Sequence, residues 1–249
     1  MDHTDIFVLQ LYPYASVYLG AEGMLGGEAR DRVAGFWRAL RLDPPAEPDH
    51  LAALLSLYAT IIDRETDEDD PARKLLWGRS RQALLWEHLL SWLPAYLFRL
   101  EGIAAPSYRA WGTLLRRALL DEADRLGQAD GTPLHLRDVS GLADPREMGG
   151  EAFLNSLLVP VRSGMILVRA DLAEAARELD LGLRQGERRY VLGALLSQDK
   201  AATLDWLARL ASRWADIHRS QRQVLRSVSD FWSTQADASA RLVEDLAAD

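Results

Sequence analysis

Apolar residues recur three and four positions apart along most of the chain, the spacing that places side chains on one face of an α-helix. In the first half of the chain, this pattern predicts helices over residues 28–40, from residue 51 onward, over 71–101 and over 106–127. The predicted helix at 71–101 is apolar on most sides, which is typical of a buried helix. Pro94 within it predicts a kink near Leu90, because proline removes one backbone hydrogen bond. The acidic run at 63–70 predicts a solvated loop.

The helical pattern breaks over residues 128–150, where glycines, prolines and aspartates interrupt it. A loop of this length inside a compact domain is usually functional or mobile. After residues 151–168, which Pro160 and Gly164 leave ambiguous between short helices and extended chain, the pattern returns. It predicts helices over 170–181, 187–196, 201–218 and 220–246, with Asp171 and Asp199 as start signals and Gly182 and Gly186 as stop signals.

These elements indicate an all-α protein, since β-branched residues are scarce and no alternating strand pattern recurs. We expect a single helical domain in two loosely separable halves, with an extra C-terminal helix. The N-terminal half covers 1–127, the mobile loop 128–150, the C-terminal half 151–219 and the last helix 220–249. The two halves could exchange between protomers, which would give a domain-swapped homodimer.

Composition narrows the class of protein. Hydrophobic residues make up 48% and charged residues 27% of the 249 residues, as in ordinary globular proteins. The formal net charge of −8 argues against nucleic acid or an anionic membrane as the main partner. The absence of cysteine excludes thiolate zinc sites, iron–sulfur clusters and disulfides. No apolar run is long enough for membrane insertion and no basic-then-apolar leader opens the chain, so the cytoplasm is the expected location.

The most distinctive local feature is a proline-stiffened turn at residues 43–50 followed directly by an apolar helical run. Its prolines disfavour helix at the residues before them, so we expect an extended backbone leading to the helix that starts at residue 51. The turn carries Glu47, Asp49 and His50, and Asp49 stands where a helix N-cap is wanted. This arrangement predicts a rigid polar site beside an apolar face. A simple helix cap with a surface histidine explains the same residues.

Residues for catalysis are hard to find in this sequence. There is no glycine-rich phosphate loop, no nucleophile elbow and no HExxH motif, and the five histidines are not paired at metal-ligand spacing. The sequence therefore predicts no catalytic residue, no metal site and no cofactor, and favours a binding or scaffolding protein. A hydrolase that uses Asp49 and His50 is the enzymatic alternative.

Three segments resemble, in this order, the TorD/DmsD/NarJ family of cytoplasmic redox-enzyme maturation chaperones: YPYASVYLG, EPDHL and WEHLLSWLPAY. The resemblance covers residues 11–100 well and the C-terminal half more loosely. The chain differs from the family pattern at both ends. The tyrosine segment begins close to Met1, and the helix at 220–249 runs past the family's usual end.

This resemblance implies an all-helical TorD-like fold and a partner. The partner is the catalytic subunit of a molybdopterin-dependent oxidoreductase, bound through its twin-arginine signal peptide and held back from export until its cofactor is loaded. Residues matching the family's signature turn and the buried helix against it are the predicted peptide-binding set: Glu47, Pro48, Asp49, His50, Trp86, His88 and Trp92.

The chemistry of such a peptide agrees with that assignment. Two adjacent guanidiniums followed by an apolar stretch are complemented by carboxylates beside an apolar groove. We predict that Glu47 and Asp49 contact the basic part and that Trp86 and Trp92 help to line the groove. The alternative is a helical adaptor that holds a redox complex together without recognising a signal peptide.

Overall fold

The computed structural model describes residues 3–127 and 131–248, and these residues are helical almost throughout. They contain fifteen α-helices and no β-strand, so the predicted all-α class is confirmed. The first seven helices are α1 (His3–Phe7), α2 (Ala15–Leu19), α3 (Gly27–Ala39), α4 (Leu51–Asp67), α5 (Pro71–Ala83), α6 (Leu93–Ile103) and α7 (Pro106–Leu126). The others are α8 (Pro145–Met148), α9 (Gly150–Leu157), α10 (Pro160–Ser163), α11 (Arg169–Glu178), α12 (Arg188–Gln198), α13 (Lys200–Ser220), α14 (Arg222–Leu225) and α15 (Ser227–Ala248).

Helix α7 begins and ends where local chemistry requires. Pro106 occupies its first turn, where a missing N–H costs nothing, and Gly127 follows it with φ of 74°. Helix α13 starts after Asp199, whose carboxylate accepts a hydrogen bond from the Ala202 amide, as the predicted start signal requires. The predicted bounds of both helices are confirmed to within a few residues.

The predicted solvated loop at the acidic run 63–70 is wrong for most of the run, because residues 63–67 are helical. Helix α4 continues through Asp67, and only Glu68 to Asp70 lie between it and α5. The two helices form a hairpin in which Arg81 pairs with Glu65 at 3.1 Å and the Arg64 guanidinium lies over the Trp77 ring. These cross-helix contacts compensate for the repulsion among neighbouring carboxylates.

The expected continuous helix at 71–101 is in fact divided. Helix α5 gives way to a π-helical stretch at Leu84–Leu89, the chain turns, and α6 begins at Leu93 with Pro94 in its first turn. The predicted change of direction near Leu90 is confirmed. The predicted burial along the whole stretch is wrong for α5, which has no buried residue and leaves Leu75 and Leu76 exposed. Burial begins at Leu84 and continues through α6.

The C-terminal half is built around α13 and α15, which pack along each other. The ambiguous residues before it form α9, α10 and a non-helical stretch at 164–168, and both long helices contact the chain at Ser163 and Gly164. The Nε2 atom of His218 on α13 lies 2.8 Å from the Gly164 carbonyl oxygen, and the Ser239 hydroxyl on α15 donates to the Ser163 carbonyl at 2.8 Å. Both long helices thereby hold the end of α10 and the start of this loop.

The last predicted helix is interrupted at Arg226, whose φ of 44° separates α14 from α15. Helix α15 is part of the core rather than a surface addition. Its Trp232 is buried, and the indole N–H donates to the Ser91 carbonyl at 2.8 Å. Helix α6 reaches the C-terminal half too, because Arg99 pairs with the buried Asp171 of α11 at 2.5 Å. Contacts therefore cross the predicted boundary, and the separability of the halves stays a prediction.

The predicted mobile loop at 128–150 begins with residues 128–130, which lie outside the described residues. The remainder contains a 3₁₀ turn at Leu134–Leu136 and α8, and it is attached to the helices around it. The Ala143 amide donates to the Ser156 hydroxyl at 3.0 Å, and Arg162 donates to the Gly141 carbonyl at 3.1 Å. Whether this loop is the most mobile internal stretch stays a prediction.

None of the helices within residues 3–127 and 131–248 is both long and apolar enough to cross a bilayer.

Candidate functional site

The tyrosine-rich segment and the proline turn are joined by backbone hydrogen bonds. An isolated antiparallel bridge pairs Tyr14 with His50. The Ala15 amide donates to the Asp49 carbonyl at 3.0 Å, and the Leu51 amide donates to the Pro13 carbonyl at 2.8 Å. Two segments that both resemble the family motifs therefore meet at one place, immediately before α4.

Asp49 does not have the role predicted for it. The helix cap is His50, whose Nδ1 accepts a hydrogen bond from the Ala52 amide at 3.1 Å, so Nδ1 carries no proton in this arrangement. The Asp49 side chain is instead buried, with 1% exposure, and its carboxylate accepts from the Ser16 amide of α2 at 3.1 Å. Asp49 thus fixes α2 against the turn, and its carboxylate does not face a ligand at the surface.

Glu47 is an exposed carboxylate of the turn. Its Oε2 atom accepts a hydrogen bond of 2.8 Å from the Tyr14 hydroxyl. The Tyr14 ring in turn lies edge-on to the imidazole of His50, with 4.8 Å between the ring centroids. The pKa of Tyr14 is raised, mainly by partial burial and secondly by the hydrogen bond to Glu47, so the hydroxyl keeps its proton at neutral pH. Pro48 is buried beneath the turn.

Beside these residues lies an apolar groove of about 780 Å³, which we call the N-terminal groove. Its walls come from α1, the segment after it, the start of α4 and the start of α7. The principal lining side chains are Phe7, Val8, Tyr12, Tyr14, Leu55 and Trp111. Several are unusually exposed for large apolar residues, including Val8 at 48% and Trp111 at 39%. Large exposed apolar side chains grouped around a concave surface mark an interaction site.

Trp86 and Trp92, which the sequence assigned to the groove, lie elsewhere. Trp92 is fully buried, stacks on Tyr18 with 5.2 Å between centroids, and donates from its indole nitrogen to the His88 carbonyl at 2.9 Å. Trp86 is buried and donates to the Gly127 carbonyl at 3.0 Å. The prediction that they line the groove is wrong, because both rings face the core.

His88 also belongs to another part of the molecule. Its ring packs against Phe36 at 5.1 Å. Burial, helped by the neighbouring His135, lowers the pKa of His88 to about 4, so the ring is neutral at physiological pH. Glu87 beside it accepts from the Leu134 amide at 3.2 Å and lies 3.6 Å from Nδ1 of His135, a contact that lowers the pKa of Glu87. Glu87 therefore helps to fix the loop after α7, while His88 packs against α3.

Of the seven predicted peptide-binding residues, His50 lines the N-terminal groove, and Glu47 lies next to it through the hydrogen bond to Tyr14. Pro48 and Asp49 belong to the same turn but are buried. Sequence reasoning missed the residues that form the groove itself. Phe7 packs edge-on to Tyr108 at 5.2 Å, which brings α1 against the start of α7. In the sequence, Phe7 and Tyr108 are apolar positions like many others, and nothing indicates that they meet. Tyr12 and Tyr14 carried a usable signal, since exposed tyrosines are frequent at binding surfaces.

Within the described ranges, no three His, Asp or Glu side chains are grouped so that they could hold a metal ion.

Comparison with known proteins finds similarity over part of the chain. Residues 1–97 match the family model described as nitrate reductase delta subunit. Chaperone protein TorD of Vibrio vulnificus (strain YJ016) is 31% identical over 90 residues, which cover 34% of this chain and 41% of that protein. Chaperone protein TorD of Psychrobacter sp. (strain PRwf-1) is 33% identical over 110 residues, which cover 41% of this chain and 49% of that protein.

The matched stretch thus spans less than half the length of these curated relatives. No solved structure matches the chain. The resemblance to the TorD family predicted from the three N-terminal motifs is confirmed. The matched residues 1–97 include the tyrosine segment, the proline turn and the residues of α4 that line the N-terminal groove.

Proposed function

We propose that this protein is a cytoplasmic maturation chaperone for a molybdopterin-dependent oxidoreductase and that it binds the twin-arginine signal peptide of its client's catalytic subunit. The observation that carries the proposal is the position of Glu47. It is an exposed carboxylate that is hydrogen-bonded to Tyr14, a wall residue of an open apolar groove, and it lies within the residues that match the nitrate reductase delta subunit model.

The shape and charge of this site fit the two parts of such a peptide. The apolar stretch buries its side chains against Phe7, Leu55 and Trp111, and burial of apolar area supplies most of the affinity. A guanidinium of the arginine pair binds the Glu47 carboxylate, which it can contact through two parallel hydrogen bonds. The net charge of −8 adds a long-range attraction for the basic part.

Burial of Asp49 changes the proposed roles within the turn. Its carboxylate organises the site from below by holding α2, while Glu47 alone of the two makes the contact with arginine. His50 supplies the helix cap and one wall of the groove. This division makes Glu47 the residue whose charge should decide whether the peptide's basic part is recognised.

The first prediction tests that contact. Glu47→Gln keeps the size of the side chain and removes its charge, so affinity for a synthetic twin-arginine peptide should fall about three- to tenfold, as expected for an exposed charged pair. Titration of a labelled peptide, followed by fluorescence anisotropy at two salt concentrations, measures this. Binding by the parent should weaken as salt rises, and binding by the variant should depend less on salt.

Two controls define the result. Glu244→Gln removes an exposed glutamate of α15 that does not line the groove, makes the same change in net charge, and should leave affinity unchanged. A peptide in which the apolar stretch is replaced by serines should bind weakly to every variant. If Glu47→Gln and Glu244→Gln bind the arginine peptide equally well, the turn has no part in recognition and the adaptor role is favoured.

A further inference from the structure

We infer that Tyr14 is a positioning residue for the peptide's arginine: its hydroxyl holds the Glu47 carboxylate next to the N-terminal groove and so fixes the distance between the charged contact and the apolar surface. This inference rests on the proposed function and gives the Tyr14 hydroxyl a role beyond the one that the ring has as a wall of the groove.

Tyr14 is held at three points. Its backbone lies in the bridge to His50, where the flanking hydrogen bonds are 3.0 and 2.8 Å long. The ring packs edge-on to the His50 imidazole at 4.8 Å. The hydroxyl donates to Oε2 of Glu47 at 2.8 Å. Because Tyr14 is fixed in this way, its hydroxyl restricts the rotation of the Glu47 carboxylate relative to the backbone of the turn.

The same ring is also a wall of the groove. Tyr14 therefore contacts both halves of the site: its ring faces the space for the apolar stretch, and its hydroxyl holds the acceptor for the arginine. A glutamate side chain has three rotatable bonds, and fixing them before binding reduces the entropy lost when the guanidinium pairs with it. One hydroxyl donor leaves further acceptor positions on the carboxylate for an arginine.

The opposite possibility is that the Tyr14 hydroxyl and the arginine guanidinium compete for the Glu47 carboxylate. The number of acceptor positions on that carboxylate argues against such competition. A carboxylate offers about four acceptor positions on its two oxygens, and the Tyr14 hydroxyl occupies one of them on Oε2. Partial burial and the hydrogen bond to Glu47 keep this hydroxyl protonated at neutral pH, so it remains a donor and adds no negative charge. The bound arginine and Tyr14 can thus share Glu47.

The second prediction uses Tyr14→Phe, which removes the hydroxyl and keeps the ring. Affinity for the arginine peptide should fall about two- to fivefold, the range expected for loss of one partly exposed hydrogen bond. Affinity for a matched peptide with glutamines in place of both arginines should not change, since that peptide makes no ionic contact with Glu47. A structural role for Tyr14 would instead lower the affinity for both peptides equally.

A double-mutant cycle completes the test. In a Glu47→Gln background, Tyr14→Phe should have no further effect on the arginine peptide, because the hydroxyl acts only through the carboxylate. If the parent prefers the arginine peptide and Tyr14→Phe binds it as well as the parent does, the positioning role is refuted while the proposed function stands. An increase in affinity would refute it too, by showing competition. If the parent binds both peptides equally or neither, the proposed function and this inference fail together.

Discussion

At the scale of single residues, Glu47, Asp49 and His50 lie within four positions of each other and contact three different parts of the molecule. Glu47 accepts from a tyrosine hydroxyl at the surface, Asp49 accepts from a backbone amide in the interior, and His50 caps α4. Asp49 is the structural member of the three. Its partner, the Ser16 amide, lies 33 positions away in sequence, so no local rule could identify it.

The third prediction concerns this buried carboxylate. Asp49→Ala leaves the Ser16 amide without an acceptor in a buried place, so the free energy of unfolding should fall by about 1–3 kcal/mol. Asp49→Asn keeps an acceptor oxygen and should cost less. Urea unfolding followed by circular dichroism measures both, with Glu47→Ala as the exposed control, expected within about 0.5 kcal/mol of the parent. Equal stability of Asp49→Ala and Glu47→Ala would show that the Asp49 carboxylate is in contact with water.

At the scale of elements, the loop between α10 and α11 passes so close to α15 that a side chain does not fit at Gly164. A Cβ atom built there would lie 2.2 Å from the Ala236 backbone nitrogen, and the φ of 73° is unfavourable for other residues. The carbonyl of the same glycine accepts from His218 on α13. Gly164 thus allows one short loop to contact two long helices at once.

The fourth prediction follows from that contact. Gly164→Ala forces α15 away from the loop, so it should lower the free energy of unfolding by more than about 3 kcal/mol, beyond the usual cost of a single substitution. Gly127→Ala is the control: its φ of 74° and ψ of −178° are more restrictive for alanine than the φ of 73° and ψ of 7° at Gly164, but no atom of the described residues lies within 4 Å of its would-be Cβ. Gly127→Ala therefore has at least the backbone strain of Gly164→Ala without the clash. Thermal melts of the two variants should differ clearly; similar losses would mean that the close approach to α15 is not rigid.

The elements also show what the sequence can and cannot predict. The bounds of α7 follow from Pro106 and Gly127, which act within one turn of the helix. The extension of α4 through the acidic run depends on Arg81 of the next helix, a contact that no local pattern contains. The direction of Trp86 and Trp92 was not predictable either, because a segment that is apolar on all sides does not indicate which side faces a groove. The position of the turn could be predicted, and the groove beside it could not.

At the scale of the whole molecule, two histidines with lowered pKa values couple the stability of the fold to pH. His218 lies between the rings of Trp214 and Trp232, at 5.4 and 5.6 Å, and burial lowers its pKa to about 4. His88 has a similarly lowered pKa, also mainly through burial. In the unfolded chain an imidazole has a pKa of about 6.5. As the pH falls from about 6.5 to about 4, the unfolded state takes up protons that the folded state does not, so stability decreases over this window.

The fifth prediction isolates one of these histidines. His218→Gln can keep a donor for the Gly164 carbonyl but has no proton to gain, so its free energy of unfolding should depend less on pH between 6.5 and 4 than that of the parent. Its stability at pH 7 should be lower, because glutamine loses the contact with both indoles. Urea titrations at pH 7, 6, 5 and 4.5 give the slopes, and His3→Gln, at an exposed position on α1, should keep the parental slope. Equal slopes in parent and His218→Gln would show that His218 accepts a proton in the folded state.

The hydrogen bond between Trp232 and Ser91 joins residues 141 positions apart, and it has a consequence for synthesis on the ribosome. The polypeptide is made from the N-terminus, so the carbonyl of Ser91 and the apolar surface around it are complete long before α15 leaves the exit tunnel. During that interval the N-terminal helices have an uncovered face of their own. A protein whose proposed task is to shield another chain until it is ready therefore has an uncovered face of its own until the 22 residues of α15 have been made.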